Sequence, residues 1–366
     1  MPLSDQIRSV YYTRMFQALP GLVPLQQECG GDIIIGRSSA VRSFKKVYPG
    51  IPYTRHYQKI PRLKAQRMLS QADFIFSGAG YPETLQPLAG KKILTFHGTL
   101  GLLGRRGWEM FSHYDHLFLI GPRMEQQLLR HDHELNYSYS VTGFLPFSSF
   151  PEKTEHTCAQ ILYKLNLNPD QKTIVYTPSK ASVGTWFDSA EKIANEIPAD
   201  WNLIMRPHPN QAQNRKKSDC QFLQKISAIL NDRPNSIIDM IHCSLPELEC
   251  VADLMITDAN SPAEESMFYD CPQLFSDSNR SSREAFLERF KEWDMHEEDT
   301  EAYLQLFNCG PNFHADGFTD WGKAAQFAIE NRDKYKRARD QCFQYIFGEK
   351  NRNAPQRVSG KLKSLT

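Results

Sequence analysis

The chain has 366 residues, more than one hydrophobic core ordinarily supports, so two domains of ordinary size are expected. Its 43 Lys and Arg against 42 Asp and Glu leave a net charge of +1, which excludes a nucleic-acid binder relying on broad phosphate attraction. The eight cysteines are scattered without a CxxC pair or zinc-finger spacing, the amino end has no basic segment leading into an apolar core, and no apolar run approaches the ~20 residues of a membrane span. These features predict a reduced, cytoplasmic protein whose membrane contact is at most peripheral, on the inner face.

Residues 6–19 read as a helix, and the short β-branched run Asp32-Ile33-Ile34-Ile35, closed by Gly36, reads as a first strand. Turn chemistry follows at Tyr48-Pro49-Gly50, then a helical stretch over 62–71, a second strand over 72–78, a short helix over 82–88, a third strand over 92–96 and a fourth over 116–121. A helix from Pro122 to about His131 and a short strand over 140–143 complete this half. The apolar pattern lapses over 146–156 into Ser, Pro and charged residues, which marks a link between domains. It restarts with strands over 172–177, 201–206 and 236–239, another beginning at Leu254, and one over 273–275, interleaved with helices over 189–196, 218–230 and 244–252. Residues 281–298 are charged and helical, 317–346 hold one or two closing helices, and 351–366 are basic and polar. Short apolar strands alternating with helices imply parallel sheets covered on both faces. The expected fold is α/β, with two Rossmann-like domains facing across a cleft, over residues 1–148 and 149–346, and a basic polar tail over 347–366.

The best marked junction is Leu254 to Glu265, a buried strand running straight into a helix. Ser261 is a suitable cap, Pro262 suits the first turn, and Glu264 completes a capping box. Backbone N–H groups at such a start, at the carboxyl end of a strand, favour an anion, and Thr257, Asp258, Asn260 and Ser261 are the polar residues there. His97 ends the third strand and is followed at once by Gly98 and Thr99, which projects its imidazole into the cleft. Gly101, Gly104 and Gly107 with Arg105 and Arg106 extend the stretch into a flexible basic loop able to close over phosphates. Neither a dinucleotide GxGxxG fingerprint nor a Walker P-loop is present, which disfavours nicotinamide and ATP chemistry. His208 lies between Pro207 and Pro209, which fix its backbone just past the strand ending at Arg206. Its imidazole can donate to a phosphate oxygen, and Arg206 can add permanent charge and a planar fork of donors. Thr177, Ser179 and Lys180 bring hydroxyls and an ammonium to another strand end. The bland alternatives are an ordinary strand-to-helix junction, a structural histidine and a rigid surface turn. The side chains of His131-Asp132-His133 diverge without a third ligand, so no metal site is expected.

Taken together and in order, these motifs resemble the CDP-glycerol glycerophosphotransferase family, which primes and polymerises teichoic acids and related phosphate-linked surface polymers. His97-Gly98-Thr99 is similar to its HGT motif, Tyr176-Thr177-Pro178-Ser179 to Y-A-P-T, Arg206-Pro207-His208-Pro209 to K-P-H-P, and Ile256-Thr257-Asp258-Ala259-Asn260-Ser261 to I-T-D-Y-S-S. The resemblance runs from about Lys92 to Phe275. Leu100 and Gly101, then Arg105 and Arg106, stand where the family commonly has Pro and soon Lys, and Ala259 and Asn260 replace Tyr and Ser.

This resemblance implies a GT-B fold with an acceptor-side first domain and a nucleotide-donor second domain. The implied reaction moves a polyol phosphate from a CDP-linked donor to a hydroxyl of a glycan or glycan-lipid acceptor and releases CMP. His97 and His208 are the expected catalytic pair, His97 as base. Arg206, Thr177, Ser179, Lys180, Thr257, Asp258, Asn260 and Ser261 are expected at the donor phosphates, with Gly98, Thr99, Arg105 and Arg106 in the loop. No tightly bound cofactor is expected, because the CDP-linked donor enters as substrate, and nothing in the sequence speaks for or against Mg2+. The expected partners are a nucleotide-activated polyol donor and a glycan or glycan-lipid acceptor, with weak peripheral membrane contact and no nucleic acid. The alternatives are a GT-B glycosyltransferase or nucleotide-sugar epimerase using a UDP- or GDP-sugar, and a non-catalytic glycan- or nucleotide-binding protein.

Overall fold

A computed structural model describes residues 7–56, 63–99, 104–131, 137–212, 216–241 and 243–365. Leu100 and Gly101 of the expected basic loop, and Asp132 and His133 of the histidine cluster, lie outside the described residues. The chain divides into two compact units: Met1–Phe150, Trp293–Met295 and Gln344–Thr366 form the first, and Pro151–Glu292 with His296–Phe343 the second.

The first unit holds a seven-stranded parallel sheet: β1 (Ser9–Thr13), β2 (Asp32–Ile35), β3 (Thr54–Arg55), β4 (Phe74–Ser77), β5 (Lys91–Leu94), β6 (His116–Leu119) and β7 (Tyr139–Val141), in the order β3-β2-β1-β4-β5-β6-β7. β1 corrects the expected helix over 6–19. The run Ser9-Val10-Tyr11-Tyr12-Thr13 is aromatic and β-branched and is buried along its whole length, so it shows no polar alternation, and the helix begins only at Leu19. Residues 347–366, expected as a polar tail, instead carry the helix Ala354–Leu362. Its Ala354, Val358 and Leu362, spaced four apart, are fully buried, and it packs against the helix Leu19–Cys29.

The second unit holds five parallel strands: β8 (Thr173–Thr177), β9 (Asn202–Met205), β10 (Ser236–Ile238), β11 (Leu254–Thr257) and β12 (Gln273–Phe275), in the order β10-β9-β8-β11-β12. The two-residue period of a strand sorts its side chains cleanly. Ile174, Tyr176, Leu203, Met205, Leu254 and Ile256 join Trp186, Phe313 and Trp321 on one face, with the Phe313 and Trp321 rings stacked at 3.7 Å. Val175, Ile204 and Met255 join Ile161, Leu162, Leu248 and Val251 on the other. Burial on both faces is why these strands read as unbroken apolar runs. Among the described residues no helix is long and apolar enough to cross a membrane.

Candidate active site

Strand order reverses between β1 and β4 in the first sheet and between β8 and β11 in the second. At such a point successive connections leave toward opposite sides, which opens a crevice at the carboxyl ends of the strands. Apart from Arg105 and Arg106, the predicted site residues of each unit lie at or just past the carboxyl ends of strands.

In the second unit Asp258 follows β11 directly and is buried. Its carboxylate accepts from the Ser179 N–H at 2.8 Å, the Ser179 hydroxyl at 2.7 Å, the Thr185 N–H at 3.0 Å and the Asn260 amide at 2.9 Å. Burial pushes its pKa up, and the donors of Ser179 and Thr185 oppose the shift. Gly184 makes the arrangement possible: a Cβ there would stand 2.4 Å from the Ser179 carbonyl and 2.8 Å from the Asp258 carboxylate. Asp258 therefore ties the loop after β8 to the end of β11, and its acceptor capacity is directed into the protein. Asn260 continues the tie, donating to the Thr177 carbonyl at 2.7 Å.

Asn260, not Ser261, caps the helix Ser261–Glu265, its side-chain oxygen accepting from the Ala263 N–H at 3.3 Å. Asn caps as well as Ser, and Ala259 in the left-handed region (φ 53°) turns the chain so that the cap falls one residue earlier than the sequence suggests. The capping box expected at Ser261 and Glu264 is thereby displaced; a complete one forms at Ser244 and Glu247. Thr177 and Thr257 are buried, and among the described residues their hydroxyls have no hydrogen-bond partner. Ser179 and Ser261 are half-buried and Lys180 is exposed.

Beyond β9, Arg206 is buried and paired with Asp239, which follows β10, and it donates to the Cys243 carbonyl at 2.9 Å. Its charge is thus neutralised inside the unit. Asp239, 33 residues away, was invisible to sequence reasoning as its partner. His208 is half-buried, and its Nδ1 accepts from the Asn210 N–H at 3.1 Å. A nitrogen that accepts carries no proton, so neutral His208 bears its proton on Nε2 and is a donor there.

In the first unit His97 follows β5 after Phe96, whose backbone is left-handed (φ 44°) although the residue is a buried aromatic packed against Trp108 and Phe111. The His97 Nδ1–H donates to the Gly78 carbonyl at 2.6 Å, just past β4. A carbonyl can only accept, so the neutral ring keeps its lone pair on Nε2. Burial lowers the His97 pKa, with the Gly78 hydrogen bond opposing, which keeps the ring neutral at neutral pH. His97 and His208 are therefore held as opposite tautomers, one a base at Nε2 and the other a donor at Nε2.

Gly98 and Thr99 are buried, and the Thr99 carbonyl accepts from Arg123 at 2.8 Å. Arg105 and Arg106, expected on a flexible loop, lie exposed on the helix Arg105–Glu109. The fully buried Trp108 anchors that helix, and Arg105 is paired with Glu109 at 3.1 Å. Among the described residues no group of three or more His, Cys, Asp or Glu is arranged to hold a metal ion.

The sequence profile of the CDP-Glycerol:Poly(glycerophosphate) glycerophosphotransferase family matches residues 104–358. The chain belongs to this family. It is an enzyme of the CDP-glycerol glycerophosphotransferase type, as the ordered motifs implied. The match contains the segments around Thr177, His208 and Asp258 and begins after His97. The fold is similar to that of the wall teichoic acid polymerase TagF, at 16% identity and a TM-score of 0.67 over 100% of this chain and 90% of that one. A histidine-to-asparagine variant of TagF soaked with CDPG gives 16% identity and a TM-score of 0.67 over 98% and 88%. A UDP-N-acetylglucosamine 2-epimerase homologue from Listeria monocytogenes is similar at 13% identity and a TM-score of 0.57, over 98% and 96%. These likenesses agree with the expected two-domain α/β architecture. No curated protein matches the chain.

Proposed function

We propose that this glycerophosphotransferase moves a polyol phosphate from a CDP-linked donor to a hydroxyl of a glycan or glycan-lipid acceptor and releases CMP. The opposite tautomers of the two histidines carry the reading. The acceptor oxygen attacks the phosphorus bearing the polyol while its proton passes to His97 Nε2. The bond from that phosphorus to the bridging oxygen breaks, and the electron pair leaves with CMP. His208, protonated at Nε2, donates to the phosphate whose charge grows. Phosphoryl transfer of this loose kind asks mainly for positioning and charge stabilisation. Ser179, Lys180 and Ser261 are the nearest polar groups to a donor phosphate, whereas Asp258, Asn260 and Arg206 hold the walls of that site. The first unit is the acceptor side, the second the donor side, and the enzyme works at the inner membrane face with weak contact.

The test is turnover of CDP-glycerol and CDP-ribitol against UDP- and GDP-sugars, with the released nucleotide identified. CMP release that depends on acceptor is expected. Release of UDP or GDP from a sugar donor, with none of CMP, would replace the proposal by a glycosyltransferase.

A further inference from the structure

The tautomer that leaves His97 Nε2 basic rests on one peptide, the Gly78–Ala79 bond, whose carbonyl accepts from Nδ1–H. Turned over, the same bond would present the Ala79 N–H to the ring. Nδ1 would then accept, the proton would pass to Nε2, and the base there would be lost. What holds this peptide therefore decides which nitrogen of His97 is basic.

The end of β4 is tied to that of β5, where the Ser77 carbonyl accepts from the Thr95 N–H at 2.9 Å and from the Thr95 hydroxyl at 3.3 Å, two residues before His97. At Gly78 a Cβ would stand 2.6 Å from Ala18 Cβ and 3.2 Å from His97 Cβ, so the backbone lies against the histidine with no room for a side chain. Beyond it the Ala79 N–H is directed at Ser77 Oγ, at 3.4 Å, and the Ala79 carbonyl lies 2.5 Å from Ser77 Oγ and 2.6 Å from the Tyr114 hydroxyl. The two hydroxyls are themselves 2.6 Å apart. With one proton each, one hydroxyl donates to the other and the second donates to the Ala79 carbonyl, whichever way the chain runs. Both backbone groups of Ala79 are thus engaged, which keeps the preceding carbonyl toward His97. Tyr114 comes from the turn before β6 and is buried. Burial raises its pKa, with the Ser77 hydrogen bond opposing, so the phenol keeps its proton at neutral pH and remains a donor. Its ring meets Phe111 at 6.4 Å, and Phe111 meets Phe96, the left-handed residue before His97, at 5.4 Å.

Resting on His97 as the base of the proposed reaction, we infer that Ser77 and Tyr114 are positioning residues that select the tautomer of His97 through the Gly78–Ala79 peptide. A hydroxyl pair that only closed the loop would support the fold without deciding where the histidine carries its proton.

The test is NMR of isotope-labelled histidine rings in the full chain without ligands, the His97 signals being those that vanish in His97→Ala. In the parent the neutral ring should carry its proton on Nδ1 and leave Nε2 bare. Ser77→Ala, which removes the acceptor of the Ala79 N–H, should convert much of the population to the opposite tautomer. Tyr114→Phe, which leaves Ser77 its own bond to the carbonyl, should convert less. A base in the wrong tautomer can cost ~10⁴ in turnover, so partial conversion should lower CMP release from CDP-glycerol about tenfold or more in Ser77→Ala and about threefold in Tyr114→Phe, with KM for CDP-glycerol unchanged. Should Ser77→Ala fail to fold, Tyr114→Phe, which removes one oxygen and keeps the ring, decides alone. An unchanged tautomer in the folded variants would overturn the inference even where stability drops, because that is the result a purely structural pair gives. A parent ring protonated on Nε2 would overturn it as well. A converted tautomer with undiminished CMP release would instead sustain the positioning and remove His97 as the base.

Discussion

At the end of β5 a left-handed Phe96 turns the backbone before His97, and at the end of β11 a left-handed Ala259 does the same before Asn260. The two turns serve different ends. His97 spends Nδ1 on a carbonyl and keeps its second nitrogen for chemistry. Asp258, beside the other turn, takes donors from three neighbours and leaves little for a ligand. Backbone strain at a strand end therefore marks a place where geometry is imposed, and the hydrogen-bond inventory of the adjacent side chain tells whether that geometry serves a reaction or a scaffold.

The comparison is broken most severely at Asp258. Asp258→Ala strands the donors of Ser179, Thr185 and Asn260, and should destabilise the second unit by roughly 3 kcal/mol or more in urea unfolding. A loss under about 1 kcal/mol would show that the carboxylate is not the tie described.

His97→Ala should do the reverse. Turnover should fall ~10²- to 10⁴-fold while the unfolding midpoint moves little, because a base acts only in the transition state. With the His97 pKa depressed, the acid limb of kcat should lie below the ordinary histidine value of 6.5. Turnover within a fewfold of the parent would remove His97 from the mechanism.

A third carboxylate group sharpens the scaffold side. Glu265 is buried, and burial together with the neighbouring Glu264 pushes its pKa up to about 8; Glu249, fully buried with neither oxygen hydrogen-bonded among the described residues, is pushed up by burial and by Glu265. The folded state thus binds these protons more tightly than the unfolded chain. The stability they contribute is complete below the ordinary value of 4.5 and is lost as pH rises toward about 8. Glu265→Gln should therefore unfold later than the parent at about pH 8, with the advantage vanishing near pH 5. An advantage independent of pH would assign the effect to packing.

The smallest effect is expected at Ala259. Ala259→Gly relieves the left-handed strain but loosens the unfolded chain, for a net gain of about 0.5 kcal/mol by thermal unfolding. A clear loss would mean that the Ala259 methyl is needed for packing.

Most strands were legible because a strand buried on both faces reads as a short apolar run between turn residues, as at Ile33-Ile34-Ile35 and Leu254-Met255-Ile256. That signal failed at Ser9–Thr13, where the apolar spacing continues through Phe16 and Leu19 at intervals that also fit a helix. His97 and His208 were legible from their neighbours, Gly98 on one side and two prolines on the other. The partners that fix their protons were not, since Gly78 lies 19 residues from His97 and belongs to another strand end. The Arg206–Asp239 pair was hidden for the same reason: a charge at a strand end looks identical in sequence whether it points at a ligand or at a neighbour.

The helix Ala354–Leu362 belongs to the first unit although it is synthesised after the second, and Arg352 beside it donates to the Phe150 carbonyl at 2.7 Å. The order of completion on the ribosome is therefore inverted with respect to the order of the chain. Residues of the second unit can close around their own sheet while the helix Leu19–Cys29, made hundreds of codons earlier, still lacks its cover. A chain released just short of residue 354 would hold every residue of the second unit but leave the helix Leu19–Cys29 without this cover, its apolar face offered to chaperones.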